Sequence, residues 1–269
     1  MAVAFHVTGF GPFGGGEVVV NPTQVRSWLD SATSLPHSPP DATRAQVLVD
    51  SLPAAVASGR FPLPAGACLA STAVLPTSSR AAAAYVAQLP RPRAGRAGGA
   101  GPTPPPAAVC VLHLGVHTGA HTLRLERCAY NEASFRCADE GGWAPQGECV
   151  LGCDAPGCRR ESSLPVDVLV ARLCAAGWPV ELSDDPGRFV CNYTYYLTLQ
   201  ATQQHATAAP AGDETHAASP AHAATEPPWH ALFVHVPPVD VMPVERQTSF
   251  LAALMAAITA TLLGPTASE

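Results

Sequence analysis

Gly187-Arg188-Phe189-Val190-Cys191-Asn192-Tyr193-Thr194-Tyr195-Tyr196 sets one cysteine between a turn and an aromatic, amphipathic run. Asp184-Asp185-Pro186-Gly187 reads as the turn, and the spacing over 192–200 predicts a helix. Cys191 then stands at or near a helix N-terminus, where unpaired amides carry partial positive charge and favour a thiolate. Just upstream, Trp178-Pro179-Val180-Glu181-Leu182 reads as a short strand. The order strand, turn, cysteine, helix suits a site residue at the rim of an α/β sheet. Taken alone, Cys191 fits a buried core cysteine equally well, the commonest setting for this residue type.

Other segments repeat the alternation of strand and helix. Residues 3–8 read as a buried strand that runs into Gly9-Phe10-Gly11-Pro12-Phe13-Gly14-Gly15-Gly16. That glycine loop is neither a dinucleotide fingerprint nor a P-loop, because Pro12 and Phe13 obstruct the tight turn and the phosphate-binding lysine is absent. Phe10 and Phe13 flank it, either lining a small flat pocket or packing on the sheet. Asn21-Pro22 predicts a helix start, Val47-Leu48-Val49 a second strand, and 79–89 an alanine-rich helix.

Ala108 to Gly115 is the clearest buried strand and leads into the loop Val116-His117-Thr118-Gly119-Ala120. Residues 121–136 suggest an extended or irregular segment near the sheet edge. A helix is predicted from Ser163-Leu164-Pro165 through Cys174, a strand at Trp229 to Val236, and a closing helix from Ser249 to Leu263 before Gly264-Pro265. With no hairpin signals between them, these elements predict a three-layer α/β/α single domain with a mainly parallel central sheet. That domain covers 1–269, with flexible insertions at 90–106 and 201–228, where Pro, Gly, Ala and Thr predominate.

Composition excludes several function classes. The net charge of −6 over 269 residues leaves no basic face for nucleic acid. No stretch approaches the roughly 18 apolar residues that a spanning helix needs, and the N-terminal apolar run is broken at Thr8-Gly9, so a cytoplasmic protein without a membrane segment is expected. Nine cysteines, an odd number, without an export signal are expected to be reduced thiols. Cys137, Cys149, Cys153 and Cys158 are dense enough to raise a zinc site, yet they lack a C-x2-C knuckle, and no metal or other cofactor is expected.

Three residues have the chemistry of a cysteine-nucleophile triad: Cys191 at a helix start, His235 near a strand end, and Glu126 in the extended segment. An imidazole takes the thiol proton and returns it to the leaving amine, while a carboxylate fixes the tautomer. Each also has a plainer reading, Glu126 as a surface carboxylate paired with Arg124 or Arg127 and His235 as a hydrogen-bonded strand histidine.

Four ordered blocks spanning 8–238 resemble the pyroglutamyl-peptidase I family of cysteine exopeptidases, which remove an N-terminal pyroglutamyl residue from peptides. The family's T-G-F-x-P-F-G-G is similar to Thr8 through Gly15, with Asn21-Pro22 following. Its E-x-x-A-x-N is similar to Glu126-Arg127-Cys128-Ala129-Tyr130-Asn131, its nucleophile block to Gly187 through Tyr196, and its F-V-H-V-P-P to Phe233 through Pro238.

The resemblance implies that Cys191 is the nucleophile, His235 the general base and then acid, and Glu126 the orienting carboxylate. It implies further that Phe10 and Phe13 sandwich the lactam, that backbone groups around Gly115 and Val116 recognise the ring amide, and that Arg136 lies near the oxyanion region. The expected partner is an N-terminally pyroglutamylated peptide; the oligomeric state stays open. Residues 50–80 match the family poorly, and insertions that separate the triad would leave an inactive relative that binds pyroglutamyl peptides or regulates.

Overall fold

In a computed structural model, the described residues are 2–11, 44–89, 105–207 and 226–264. The predicted helix at Asn21-Pro22, Phe13 and most of both predicted insertions (90–104 and 208–225) lie outside them. A six-stranded sheet has the order β2 (Ala67–Leu75), β1 (Val3–Phe10), β3 (Ala108–Val116), β10 (Trp229–Val236), β4 (Leu123–Glu126), β9 (Val180–Ser183). The first four are mutually parallel; β4 runs antiparallel to β10, and β9 parallel to β4. The fold is three-layered α/β/α with a mixed, mostly parallel sheet. Two short hairpin pairs stand apart, β5 (Cys128–Tyr130) with β8 (Arg159–Glu161) and β6 (Ala133–Ser134) with β7 (Gln146–Glu148).

The two-residue period of each strand divides the sheet chemically. Val3, Phe5 and Val7, Cys110, Leu112 and Leu114, Leu123 and Leu125, and Leu232 and Val234 share one core. Buried against them are Leu48 and Leu52 of α1 (Arg44–Ala57), Leu169 and Leu173 of α3 (Val166–Ala175), and Phe250, Leu254 and Ile258 of α5 (Val244–Leu263). The intervening residues point to the other face, where Phe10 and Phe233 pack with Tyr195, Tyr196 and Leu199 of α4 (Val190–Thr207) and with Tyr85 of α2 (Ser79–Gln88). All the polar candidates on the strands, Glu126, His235 and Gly115, have the parity of this second face. One face is a continuous apolar core, the other carries the candidate residues Glu126 and His235.

Several expectations are corrected. Val47-Leu48-Val49 is not a strand but part of α1, because Ala45, Leu48, Val49, Leu52 and Ala55 fall at helical spacing and are all buried. β2 emerges from the stretch of weak periodicity before Ser79; as an edge strand it has only Leu75 fully buried, which weakens the hydrophobic signal. The segment after residue 121 is extended and near the sheet edge as expected, holding β4 next to the edge strand β9. The closing helix begins at Val244, not Ser249, directly after Pro243, a residue tolerated at helix starts. Residues 201–207 extend α4. By length and composition α5 is apolar enough to cross a membrane, contrary to the sequence reading, but here Phe250, Leu251, Leu254, Met255, Ala257 and Ile258 are buried in the core.

Candidate active site

Adjacent antiparallel strands bring Glu126 and His235 together. Phe233 lies opposite Glu126 and His235 opposite Arg124, so Glu126 and His235 are diagonal neighbours on one face. The His235 Nδ1 and Glu126 Oε1 atoms are 2.7 Å apart, and the two residues are 4% and 0% exposed. Glu126 Oε2 is buried with no partner among the described residues, so the imidazole supplies the carboxylate's compensation for leaving water. Cys191 is the other neighbour that bears on the imidazole's protonation. All three sequence-predicted chemical residues therefore converge.

Cys191 is the second residue of α4, and four residues around it decide where that turn begins. Gly187 adopts φ +77°, a left-handed conformation that costs glycine little and lets the chain turn sharply into the helix. Arg188 lies over the Tyr130 ring at 4.1 Å and pairs with Glu132 and Asp185. Asn192, fully buried, accepts from the Tyr130 amide at 2.8 Å and donates to the carbonyls of Tyr130 and Glu132, each at 2.9 Å. One turn further, the Tyr195 hydroxyl donates to the Glu126 carbonyl at 2.9 Å, tying the cysteine's helix to the carboxylate's strand. Sequence reading missed Asn192 and Tyr195 as anchors, although both sit inside the quoted cysteine stretch.

Burial alone would drive His235 toward neutrality, but its hydrogen bonds to Cys191 and Glu126, and the charges of both, outweigh that and raise its pKa to about 9. The protonated imidazole is the form of His235 that this geometry favours. Beneath it His113 behaves oppositely. It is fully buried between the hydroxyls of Thr8 (2.6 Å) and Thr198 (2.9 Å), and burial pushes its pKa down to about 3. Thr198 donates to the Thr194 carbonyl at 2.9 Å, so its oxygen accepts from His113 Nε2–H, and Nδ1 accepts from Thr8. The neutral ring cross-links β1, β3 and α4 directly under the site.

The residues expected to contact a substrate are placed unevenly. Gly115 and Val116 are not in a loop but end β3, opposite His235 and Val236 of β10. A Cβ on Gly115 would stand 2.8 Å from Phe233 Cζ, so the site tolerates no larger residue there. Phe10 ends β1, is 6% exposed and stacks on Phe233 with centroids 6.2 Å apart. Phe13 lies outside the described residues. Arg136 is exposed, its guanidinium 5.3 Å from the centre of the Phe189 ring, two residues before Cys191. Cys137, Cys149, Cys153 and Cys158 are free thiols, and among the described residues no three His, Cys, Asp or Glu side chains are grouped to hold a metal ion.

Comparison with known proteins converges on one family. Residues 106–216, which contain Glu126, the hairpins and Cys191, match the family model described as pyroglutamyl peptidase. A pyrrolidone-carboxylate peptidase of Gloeobacter violaceus is 40% identical over 92 residues, 34% of this chain and 42% of that protein. Pyroglutamyl-peptidase 1 of Homo sapiens is 29% identical over 131 residues, 48% of this chain and 49% of that protein. The chain thus spans less than half the length of these curated relatives. In fold the likeness covers nearly the whole chain: the pyroglutamyl peptidase I of Bacillus amyloliquefaciens superposes with a TM-score of 0.64 at 17% identity, covering 97% of each chain. The pyrrolidone carboxyl peptidase of Thermococcus litoralis gives 0.59 at 20% identity, covering 97% of this chain and 94% of that one. Residues 106–216, less than half of the chain, thus match the pyroglutamyl peptidase family model, and the fold in which they sit is that of solved pyroglutamyl peptidases.

Proposed function

We propose that this chain is a cysteine exopeptidase that hydrolyses the amide bond after an N-terminal pyroglutamyl residue, with Cys191 as nucleophile, His235 as general base and acid, and Glu126 as orienting carboxylate. The observation that carries the reading is the buried pair of His235 Nδ1 and Glu126 Oε1 at 2.7 Å, on an imidazole whose protonation Cys191 also influences. Glu126 holds the His235 ring so that its other nitrogen faces the thiol. The Cys191 thiolate attacks the scissile carbonyl, and charge develops on that oxygen beside the first-turn amides of α4, which have no intrahelical acceptors. His235 then protonates the departing amine, leaving a pyroglutamyl thioester. Water, deprotonated by the now neutral imidazole, attacks the thioester and regenerates the thiol.

Pyroglutamate has no free α-amine, so the site needs no counter-charge for an ammonium group, and a compact apolar surround with a few polar backbone groups suits the flat ring. Phe10, Phe13, Gly115, Val116 and Arg136 are the contacts we assign to the substrate. The proposal takes 1–269 as one peptidase domain acting in the cytoplasm, where thiols stay reduced. Its test is hydrolysis of a fluorogenic pyroglutamyl amide by the reduced protein, beside Cys191→Ala and the same amide built on proline. Turnover limited to the intact protein and the pyroglutamyl compound is expected. A folded, reduced protein without turnover would overturn the reading in favour of a binding relative.

A further inference from the structure

The rings of His117 and His235 meet edge to face, with centroids 5.8 Å apart and planes at 83°. His117 follows directly after β3, and its backbone N–H donates to the Val236 carbonyl at 3.0 Å, adjacent to His235 in the chain. Two residues beyond Gly115, it has the parity of the chemical face. Its Nε2 lies 3.4 Å from Arg124 Nη1, and Arg124 in turn pairs through Nε with Glu181 at 2.6 Å. A guanidinium only donates. His117 Nε2 is therefore the acceptor, and the ring's single proton sits on Nδ1, which is buried with no partner among the described residues.

The hydrogen bond to Glu126 anchors one nitrogen of His235, and the rings packed around it set how the other nitrogen is aimed. Phe233, with its centroid 4.8 Å from that of His235, restrains one side of the ring. Reading this site as the peptidase centre proposed above, we propose that His117 is the positioning residue that restrains the other side, bracing the His235 imidazole toward Cys191 while Arg124 and Glu181 hold the brace. The charged and titratable groups that bear on His117 are Arg124 and Glu126 of β4, His235 of β10 and, through Arg124, Glu181 of β9. Burial first, then the charges of His235 and Arg124, keep the pKa of His117 below its ordinary value, against a smaller opposing pull from Glu126. Protonation would set His117 against two cations and abolish its acceptor for Arg124, so the brace fails on the acid side.

The test is alkylation of Cys191 by iodoacetamide against pH, read by peptide mass spectrometry on full-length protein, alongside turnover of the pyroglutamyl amide, for wild type, His117→Ala and His117→Phe. His117→Ala is expected to lower kcat and the alkylation rate by about 10- to 100-fold, the scale of a displaced reacting group, with KM changed less than about twofold. His117→Phe, which restores a ring that cannot titrate, is expected to recover most of that loss and to remove the acid limb below pH ~6.5. Equal damage in both variants, or none in His117→Ala, would overturn the proposal. In the unmutated protein, nitrogen NMR should find His117 as the Nδ1–H tautomer, and an Nε2–H tautomer would likewise overturn it. Alkylation needs no substrate: the expected alkylation pattern without turnover would reject the peptidase reading and leave the brace standing.

Discussion

The Sγ of Cys191 lies 3.2 Å from the point that a Cβ on Gly115 would occupy, so the absence of a side chain at residue 115 is what lets the thiol settle against the end of β3. Because the same Cβ would press on the fully buried Phe233 ring at 2.8 Å, neither neighbour can yield cheaply. Gly115→Ala should cost about 1–3 kcal/mol, the usual penalty of overpacking, and displace Cys191. Urea unfolding and Cys191 alkylation measure the two effects; unchanged values in both would show that the strand end relaxes freely.

Replacing Glu126 with Gln keeps an acceptor for His235 but removes the charge. The His235 pKa should drop from about 9 toward its ordinary value, and turnover at neutral pH should fall by about 10²–10⁴-fold, the usual worth of acid–base catalysis. The linkage has a definite sign. A folded-state pKa of about 9 against an unfolded value near 6.5 contributes stability in full below pH ~6.5 and loses it as pH rises through about 9. Wild type should therefore weaken on the alkaline side more than Glu126→Gln, as followed by thermal unfolding between pH 6 and pH 10.

His113 gives the opposite dependence. Its folded pKa of about 3 means that the native state resists a proton which the unfolded chain accepts near pH 6.5. Stability is unaffected above that value and declines below it by about 1.4 kcal/mol per pH unit, so its share of the loss between pH 6.5 and pH 5 is about 2 kcal/mol. His113→Asn should be less stable at pH 7.5 yet lose less on acidification. Parallel declines in the two proteins, measured by urea titration at pH 7.5 and pH 5, would contradict this.

Asn192 holds the turn around Tyr130 and Glu132 with three hydrogen bonds while fully buried. Asn192→Ala orphans an amide and two carbonyls and should cost about 1–3 kcal/mol. The start of α4 then loosens beside Cys191, the proposed nucleophile, so kcat should drop more than KM rises. A purely thermal effect, with kinetics intact at low temperature, would confine Asn192 to a structural role.

The sequence by itself singled out Glu126, Cys191 and His235 as candidates and determined most of the strands and helices around them. Those signals are local: an apolar run such as 108–115, the turn at Asp184 to Gly187, and a three-four spacing are each legible within a dozen residues. Val47 to Val49 was misread because a short apolar run is shared by buried strands and helices, and β2 was missed because an exposed edge strand carries little hydrophobic contrast.

Only the tertiary structure decided which parities meet. Glu126 and His235 are 109 residues apart in the chain and become neighbours through the reversed direction of β4 and its register with β10. The same register sets Arg124 beside His117 and His117 against His235, while Asn192 and Tyr195 acquire their anchoring roles from backbone groups of Tyr130, Glu132 and Glu126. Strand order and register are settled by long-range packing and by burial of the shared apolar face, to which no local pattern around residue 117 or residue 126 is sensitive.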